Sequence, residues 1–282
     1  ICPDLDTMTY TLGGGIDADR GWGRAGETWR VKEELAAYGL EPTWFGLGDL
    51  DLATHLARTQ LLAAGLPLSE VTRQVTARWL RHDPLLTLLP MTDDVVETEV
   101  AIGDPDAPEG RRWLHFQEYW VRLRAAPDAL AVRRTGIELS RPAVGVAEAI
   151  AAADLVLVAP SNPVVSIGPI LEVPGIRAAL VATAAPVIGF AGILGGAPVL
   201  GMAHRLLPAI GVAVEAAAVG RHYGSRPAGV LDLWVMDSAD ADSAAELETA
   251  GLPVAVTGLL MSSPDATAEF LRLAVKALPR SL

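Results

Sequence analysis

The sequence predicts an α/β protein with a doubly wound, mostly parallel, Rossmann-like sheet, an inserted helical subdomain and a β-hairpin. Short apolar runs without clean alternation recur in the second half, separated by helical patterns, as in a parallel sheet covered on both faces. In the first half, three helical patterns follow one another with no strand between them. One alternating segment is interrupted by a stretch rich in Gly, Pro and Asp, which predicts the hairpin.

The parallel sheet is predicted from four apolar runs. They lie at 155–159, 186–190, 230–236 and 254–257. Helical patterns separate them, and a last helix is predicted from Pro264 to Leu278 behind Ser263, a favourable N-cap. Ligands of open α/β sheets bind outside the carboxyl ends of the strands, so the loops that follow these strands are candidate sites.

The first half predicts a helical insertion over residues 26–88. It divides an active-site loop region of the core, 1–25, from the remainder of the α/β core, 89–282. The first helix, "TWRVKEELAAYG", is predicted to turn Val31, Leu35 and Tyr38 inward. The hairpin is expected within 95–122, around "GDPDAPEG". The chain begins without Met inside the loop region, so we expect core strands to precede Ile1.

The composition restricts the class of protein. A net charge of −12 argues against a general nucleic-acid binder. Residues of AVILMFWYC make up 51% of the chain, yet Pro, Gly or charge interrupts every apolar run before it could span a bilayer, so no membrane partner is expected. Cys2 is the single cysteine, which excludes an intrachain disulfide framework and a cysteine-built zinc site. We therefore expect a cytoplasmic protein.

Two acidic residues of "PDLDT" form the first candidate site. In an extended backbone Asp4 and Asp6 would face the same way, because they are two residues apart. Mg²⁺ favours a few carboxylate oxygens together with substrate phosphates, so the pair is a candidate magnesium site. An Asx turn or a helix cap explains the same spacing, and the spacing alone favours that interpretation.

The segment "GLGDLDLATH", 46–55, is the second candidate. Gly46 and Gly48 predict a tight turn before a helix that Asp49 or Asp51 would cap. The glycine spacing is not a dinucleotide fingerprint, since no suitable strand precedes it. We interpret His55 as a histidine on a helix face rather than as a catalytic residue.

The loop "PSNPVVSIGP" is the third candidate and follows the first predicted strand. Ser161, Asn162 and Ser166 place two hydroxyls and an amide at a carboxyl strand end, where small polar groups and backbone N–H groups can approach a phosphate. Ser and Asn are also common turn residues that need no ligand. The residues alone leave both interpretations open.

Six motifs in order resemble the 2-phospho-L-lactate transferase family, including its bacterial branch of phosphoenolpyruvate transferases. They are "ICPDLDTMTYTLGGGID", "GWGRAGETW", "WFGLGDLDLATHLARTQLL", "LPMTDD", "HFQEYWVR" and "APSNPVVSIGPIL", and they cover essentially the whole chain. The sequence departs from the family at Leu50, where Arg is usual. It also departs within 190–205, "FAGILGGAPVLGMAHR", which lacks the expected Ser-Pro and Lys.

The resemblance implies a reaction in the biosynthesis of coenzyme F-420. A guanosine diphosphate conjugate gives its phospholactyl or phosphoenolpyruvyl group to the ribityl hydroxyl of the deazaflavin Fo, GMP leaves, and Mg²⁺ is required. The resemblance implies that Asp6 and Gly46 bind Fo, with Gly46 contributing backbone alone, and that the protein is a homodimer. On this basis we predict Asp6 as the catalytic residue, Asp4 and Asp6 as metal ligands, and Ser161, Asn162 and Ser166 as donor-binding residues.

Two other classes of function compete with the transferase. A non-catalytic relative or a fragment would bind a nucleotide or deazaflavin without turnover. The changes at Leu50 and in 190–205 favour this alternative, whereas the presence of Asp4, Asp6, Asn162 and Ser166 outweighs them and favours the enzyme. A Rossmann dehydrogenase is disfavoured, because no Gly-x-Gly-x-x-Gly turn follows any predicted strand. The sequence leaves the lactyl and enolpyruvyl donors undistinguished.

Overall fold

The computed structural model of the protein describes residues 2–278 and divides into two compact units. Unit 1 contains the described residues up to Val95 together with Arg141–Gly145. Unit 2 contains Val96–Ser140 and the described residues from Val146 onward. This division differs from the expected arrangement of three segments, in which 1–25 belonged to the core. Within the described residues, no helix is both long enough and apolar enough to cross a membrane.

Unit 1 is helical. Its helices are α1 (Pro3–Leu12), α2 (Arg30–Ala37), α3 (Asp49–Ala63) and α4 (Leu68–Ala77). The helices predicted within 26–88 are confirmed, but the prediction of a loop over 1–25 is wrong for α1. Pro3 occupies the first turn of that helix and Asp4 and Asp6 follow it there, and both features favour a helix start.

The predicted inner face of α2 is wrong. Val31 and Leu35 are about two-fifths exposed, Tyr38 just beyond the helix is 80% exposed, and α2 has no buried residue. Hydrogen bonds at its amino end hold it instead. Asp49 accepts from the backbone N–H of Val31 at 3.0 Å and from the Thr28 hydroxyl.

The start of α3 is capped in return by the segment before α2. Glu27 accepts hydrogen bonds from the backbone N–H groups of Leu50 at 2.8 Å and Asp51 at 2.7 Å. A Cβ on Gly48 would lie 2.2 Å from the Glu27 carboxyl carbon, so a larger residue there would displace the Glu27 carboxylate from these hydrogen bonds. The first N–H groups of a helix have no partner within the helix. Each of these two segments supplies a carboxylate that accepts hydrogen bonds from such groups at the start of the other helix.

Aromatic packing joins α1 to the end of the helical run. The rings of Tyr10 and Trp79 lie 5.1 Å apart. A Cβ on Gly15 would lie 2.2 Å from Trp79, so the indole is in close contact with the glycine-rich turn after α1. The Arg24 guanidinium lies over both rings, 5.0 Å from Trp79 and 5.7 Å from Tyr10, in cation–π geometry.

Unit 2 contains an antiparallel sheet of three strands. They are β1 (Glu97–Gly103), β2 (Arg111–His115) and β3 (Ala129–Thr135), in the order β2-β1-β3. The hairpin of β1 and β2 is confirmed. Strand β3 was missed, because Leu130 is half exposed and two arginines follow, so no apolar alternation marks it.

The larger sheet of unit 2 confirms the predicted α/β class. The remaining strands of unit 2 are β4 (Val156–Val158), β5 (Val187–Phe190), β6 (Ile193–Leu194), β7 (Ala197–Pro198), β8 (Leu233–Asp237) and β9 (Val254–Thr257). The parallel sheet has the order β4-β5-β8-β9, and the short strands β6 and β7 form a separate antiparallel ribbon.

Helices lie on both faces of this sheet. The helices of unit 2 are α5 (Val146–Ala151), α6 (Ile167–Glu172), α7 (Ile176–Ala182), α8 (Ala203–Leu206), α9 (Ala216–Tyr223), α10 (Ala244–Thr249) and α11 (Pro264–Lys276). On one face, Trp234 fills the space at Gly189 and Gly220 of α9. Phe190, the next residue of β5, points to the other face and lies 5.6 Å from Phe270 of α11.

A partly buried arginine, Arg226, secures the amino edge of the sheet. Arg226 pairs with Asp232 and donates to the carbonyls of Leu180 and Thr183 at the end of α7. Asp232 also accepts from the N–H of Val187 at the start of β5, at 2.7 Å. These polar groups are therefore used by the fold itself, and the opposite, carboxyl edge carries the loop predicted to bind phosphate.

Candidate functional site

The predicted catalytic residue, Asp6, belongs to a buried ion pair. Asp6 of α1 is 6% exposed and Arg58 of α3 is 5% exposed. The Arg58 Nη1 atom donates to Asp6 Oδ2 at 3.0 Å, and Nη2 contacts Oδ1. This two-point contact joins α1 to α3, and it is the strong, directional form of arginine–carboxylate pairing. Arg58 was not singled out from the sequence, because its partner lies 52 residues away.

His55 extends this pair into a cluster of three side chains. Its Nδ1 atom lies 3.2 Å from Arg58 Nη1 and 3.9 Å from Asp6 Oδ2. Arginine nitrogens only donate, so Nδ1 accepts and the ring proton is on Nε2. Burial lowers the pKa of His55 to about 4; Asp6 opposes this shift and Arg58 adds to it. At neutral pH the imidazole is therefore uncharged, with an N–H at Nε2.

The predicted magnesium pair does not have the expected geometry. Asp4 and Asp6 lie on a helix, where two residues differ by about 200° around the axis, so they do not face the same way. Asp4 is exposed, whereas Asp6 is buried against Arg58. Among residues 2–278, no group of three or more His, Cys, Asp and Glu side chains could hold a metal ion. These residues do not fit the predicted site, and the requirement for Mg²⁺ stays a prediction.

A second polar layer lies beside the aromatic core of unit 1. The Tyr10 hydroxyl donates to Thr54 Oγ1 at 2.9 Å. Asp51 is 5% exposed, and its burial raises the pKa of its carboxyl group. Asp51 follows Asp49 on α3, so the helix-capping segment also delivers a buried acid to this layer.

Gly46 lies in the turn before α3, in the same unit as Asp6. A Cβ built on Gly46 would meet no atom closer than Lys32 Nζ, at 4.0 Å. The backbone of Gly46 is therefore open to a neighbour on this side, in contrast to Gly48.

The predicted donor loop lies in unit 2, after β4. Asn162 Oδ1 accepts from the N–H of Val164 at 2.9 Å and of Val165 at 3.3 Å. The Asn162 carbonyl accepts from the N–H groups of Ser166 and Ile167, each at 3.0 Å. Asn162 thus forms the turn itself, as the alternative interpretation expected. Its amide nitrogen and the hydroxyls of exposed Ser161 and half-buried Ser166 are the polar groups that the turn leaves over.

Arg134 of β3 fixes this loop from outside and was also missed in the sequence. Its side chain is 7% exposed, pairs with Glu172 at 2.8 Å through Nη1, and donates from Nη2 to the carbonyl of Val164. A Cβ on Gly168 would lie 2.6 Å from the Pro163 carbonyl, so α6 packs directly on the loop. The turn is therefore held from two sides, by β3 and by α6.

Hydrogen bonds and close packing also fix the loops after β5 and β8 at the carboxyl edge of the parallel sheet. Asp237, the last residue of β8, accepts from the N–H of Ala239 at 2.9 Å and of Leu259 at 2.8 Å. The loop after β5 contacts the candidate loop, because a Cβ on Gly192 would lie 2.9 Å from the Pro160 carbonyl. The carboxyl edge thus presents a set of preformed, mutually supported turns.

Three comparisons relate this chain to known proteins. The family described as 2-phospho-L-lactate transferase CofD matches residues 1–256. Phosphoenolpyruvate transferases of Streptomyces griseus and Nocardia farcinica are each 54% identical over 276 residues, covering 98% of this chain and 84% and 81% of theirs. A crystal structure of a UPF0052 family protein from Bacillus halodurans covers 78% of this chain and 71% of its own, with a TM-score of 0.51. At 16% identity this last likeness concerns the fold alone.

A double-mutant cycle tests the Asp6–Arg58 pair. Asp6→Asn and Arg58→Met should each lower the free energy of unfolding by about 3–5 kcal/mol, because each leaves a buried group without its partner. The double variant should lose clearly less than the sum. The exposed pair Glu70–Arg73 in α4 provides the matched control and should show a much smaller coupling. A coupling for Asp6–Arg58 no larger than that of the control would contradict the structure.

The pH dependence of stability tests the His55 environment. The pKa of His55 is depressed in the folded state, so the unfolded chain takes up the proton first and stability falls as the pH drops from about 6.5 towards 4. In His55→Gln the free energy of unfolding should fall by about 1–3 kcal/mol less over this pH range than in the wild type, allowing for solvent screening. Urea unfolding at a series of pH values measures the difference. The same substitution at exposed His82 is the control. Identical pH profiles for wild type and His55→Gln would show that His55 is not held neutral.

Proposed function

Because the chain belongs to the 2-phospho-L-lactate transferase CofD family and is a transferase, we propose a specific reaction for it in coenzyme F-420 biosynthesis. It transfers a phosphoenolpyruvyl or 2-phospholactyl group from a guanosine diphosphate conjugate to the terminal ribityl hydroxyl of Fo. We favour the phosphoenolpyruvyl donor, because the relatives that match nearly the whole chain carry the name phosphoenolpyruvate transferase. That similarity is the observation that carries the proposal.

The proposed step is a displacement at phosphorus. The ribityl oxygen forms a bond to the phosphorus that carries the three-carbon acid, and the bond from that phosphorus to the bridging oxygen breaks. GMP leaves with this oxygen, the hydroxyl proton is released, and the product is a phosphodiester. Such transfers require mainly positioning and stabilisation of charge on phosphate oxygens, so hydrogen-bond donors and preformed turns are what the protein must supply.

Residues of unit 1 are proposed to bind the acceptor. Asp6 is the proposed catalytic and Fo-binding residue, and the turn at Gly46 is the second contact. Although both Asp6 oxygens are engaged by Arg58, each carboxylate oxygen has further lone-pair capacity and can also accept a hydrogen bond from a substrate hydroxyl. In this arrangement Arg58 orients Asp6, and the neutral His55 accepts a hydrogen bond from Arg58.

Residues of unit 2 are proposed to bind the donor. The Asn162 side chain holds the turn through Oδ1, which leaves its amide nitrogen and the hydroxyls of Ser161 and Ser166 for phosphate oxygens. All three groups can donate hydrogen bonds, as an anionic diphosphate requires. We assign no step to Mg²⁺, since Asp4 and Asp6 face different sides of α1, but a requirement for it and a homodimeric assembly belong to the proposal.

A non-catalytic relative is the second candidate. The change to Leu50 at the start of α3, where it is 37% exposed, and the altered stretch 190–205 favour it. Such a protein would bind deazaflavin or nucleotide without forming product.

One assay separates the two candidates. The purified chain is incubated with Fo, Mg²⁺ and either guanosine diphosphate conjugate, and the phosphodiester and GMP are quantified by chromatography. The proposal expects both products in equal amounts, with the enolpyruvyl conjugate preferred. Binding of Fo or of the conjugate without either product would instead support the non-catalytic candidate.

The Arg134 contact gives a prediction for the donor side. Arg134→Met releases the Val164 carbonyl and should raise the KM for the donor by about 10-fold or more, with the KM for Fo unchanged. Arg134→Lys keeps a cation that can donate to Val164 and should recover some of the loss. Arg133→Met is the matched control, because the neighbouring Arg133 pairs with Glu99 on an exposed surface. A donor KM that responds equally to Arg133→Met and Arg134→Met would contradict a positioning role for Arg134.

A further inference from the structure

Lys32 is the least expected feature of α2. It is half-buried, whereas every other residue of this helix, including the apolar Val31 and Leu35, is exposed. The chain has only one other lysine, Lys276. A long cationic side chain that lies against the protein while its apolar neighbours face solvent is the reverse of the usual amphipathic arrangement. Burial of apolar area therefore does not explain why the Lys32 side chain lies against the protein.

The ammonium group lies in front of Gly46. Outside residues 45–47, a Cβ on Gly46 would have Lys32 Nζ, at 4.0 Å, as the one described atom within that distance. Lys32 thus reaches the space that a side chain at position 46 would enter. Gly46 itself offers only backbone groups there.

Reciprocal capping fixes Lys32 in this place. Val31, the preceding residue, donates its N–H to Asp49, and Thr28 donates its hydroxyl to the same carboxylate. Glu27 binds the start of α3 in return. The first turn of α2 is therefore held by hydrogen bonds to the start of α3, which directly follows the turn that contains Gly46.

The ammonium has no partner among the residues that the structure describes. No carboxylate lies within salt-bridge distance of Lys32 Nζ there, although the buried Arg58 of the same unit is paired with Asp6. A half-buried ammonium with all three donors available is suited to an oxygen acceptor on a ligand.

We propose that Lys32 contacts the acceptor substrate at the Gly46 position. Its ammonium donates a hydrogen bond to an oxygen of the bound deazaflavin and takes the place of the side chain that Gly46 lacks. This inference rests on the proposed function, because the family resemblance is what brings the acceptor to Gly46. It adds a specificity-determining side chain to a position that otherwise offers only main chain.

Binding measurements on charge variants test the inference. Fo is titrated into the whole protein without donor, followed by deazaflavin fluorescence, and the KM of each substrate is measured in the complete assay. Lys32→Met should raise the Kd and KM for Fo by about 10-fold to 100-fold, the scale of a hydrogen bond to a charged group, with the donor KM unchanged. Lys32→Arg should stay within about 3-fold, because the positive charge and its donors remain.

Two further variants locate the contact. Lys276→Met, at the exposed end of α11, removes the other lysine and should change neither substrate's KM. Lys32→Met combined with Gly46→Lys should recover Fo binding, because the new side chain begins beside the vacated ammonium position. Loss of binding without this recovery would overturn the placement over Gly46.

The failure of this inference is distinguishable from failure of the proposed function. If wild type forms the phosphodiester and Lys32→Met binds Fo as tightly as wild type, the role of Lys32 is overturned and the transferase stands. A rise in the donor KM instead of the Fo KM overturns it as well. If wild type neither binds Fo nor forms product, both fall together.

Discussion

A buried carboxylate needs partners that replace its lost hydration, and in the helical unit Arg58 fills this role for Asp6. Helix α3 has to bring Arg58 to α1, and the start of α3 is in turn set by Glu27 and by the segment before α2. His55 remains neutral because it is buried beside the same guanidinium. The residues proposed to bind the acceptor are therefore positioned by one ion pair and by the reciprocal caps of α2 and α3. Apolar packing contributes little to the position of α2, because none of its residues is buried.

A different constraint governs the second unit. Parallel strands end at one edge, and the loops there must satisfy their own backbone groups before they can bind anything. The Asn162 side-chain oxygen and the Asp237 carboxylate perform this task, and Arg134 supports the Asn162 turn from β3. The groups left to bind the donor substrate are a few N–H and O–H groups on a preformed turn. This division explains why the loop combines turn-forming residues with groups suited to phosphate.

The sequence predicted what depends on local pattern and missed what depends on distant partners. The four parallel strands were predictable, because buried strands are continuous apolar runs. The face of α2 was not, because its position depends on Asp49 and Glu27, which hydrogen-bond across about twenty residues. The expectation that Asp4 and Asp6 face the same way assumed an extended backbone, whereas the chain forms a helix from Pro3 onward. Lys32, Arg58 and Arg134 carry no local motif, so only the fold reveals their contacts.

Observation of the Arg58 guanidinium by nitrogen-15 NMR tests most directly whether Asp6 is committed to this ion pair. Guanidinium groups held at two points rotate slowly about the Nε–Cζ bond, so Arg58 should give separate Nη1 and Nη2 signals with slowly exchanging hydrogens. The signals are assigned by their loss in Arg58→Lys, and the exposed Arg221 provides a reference within the same protein. We expect resolved Arg58 signals that merge in Asp6→Asn. Averaged Arg58 signals in the wild type, like those of Arg221, would show that Asp6 does not hold the guanidinium at two points.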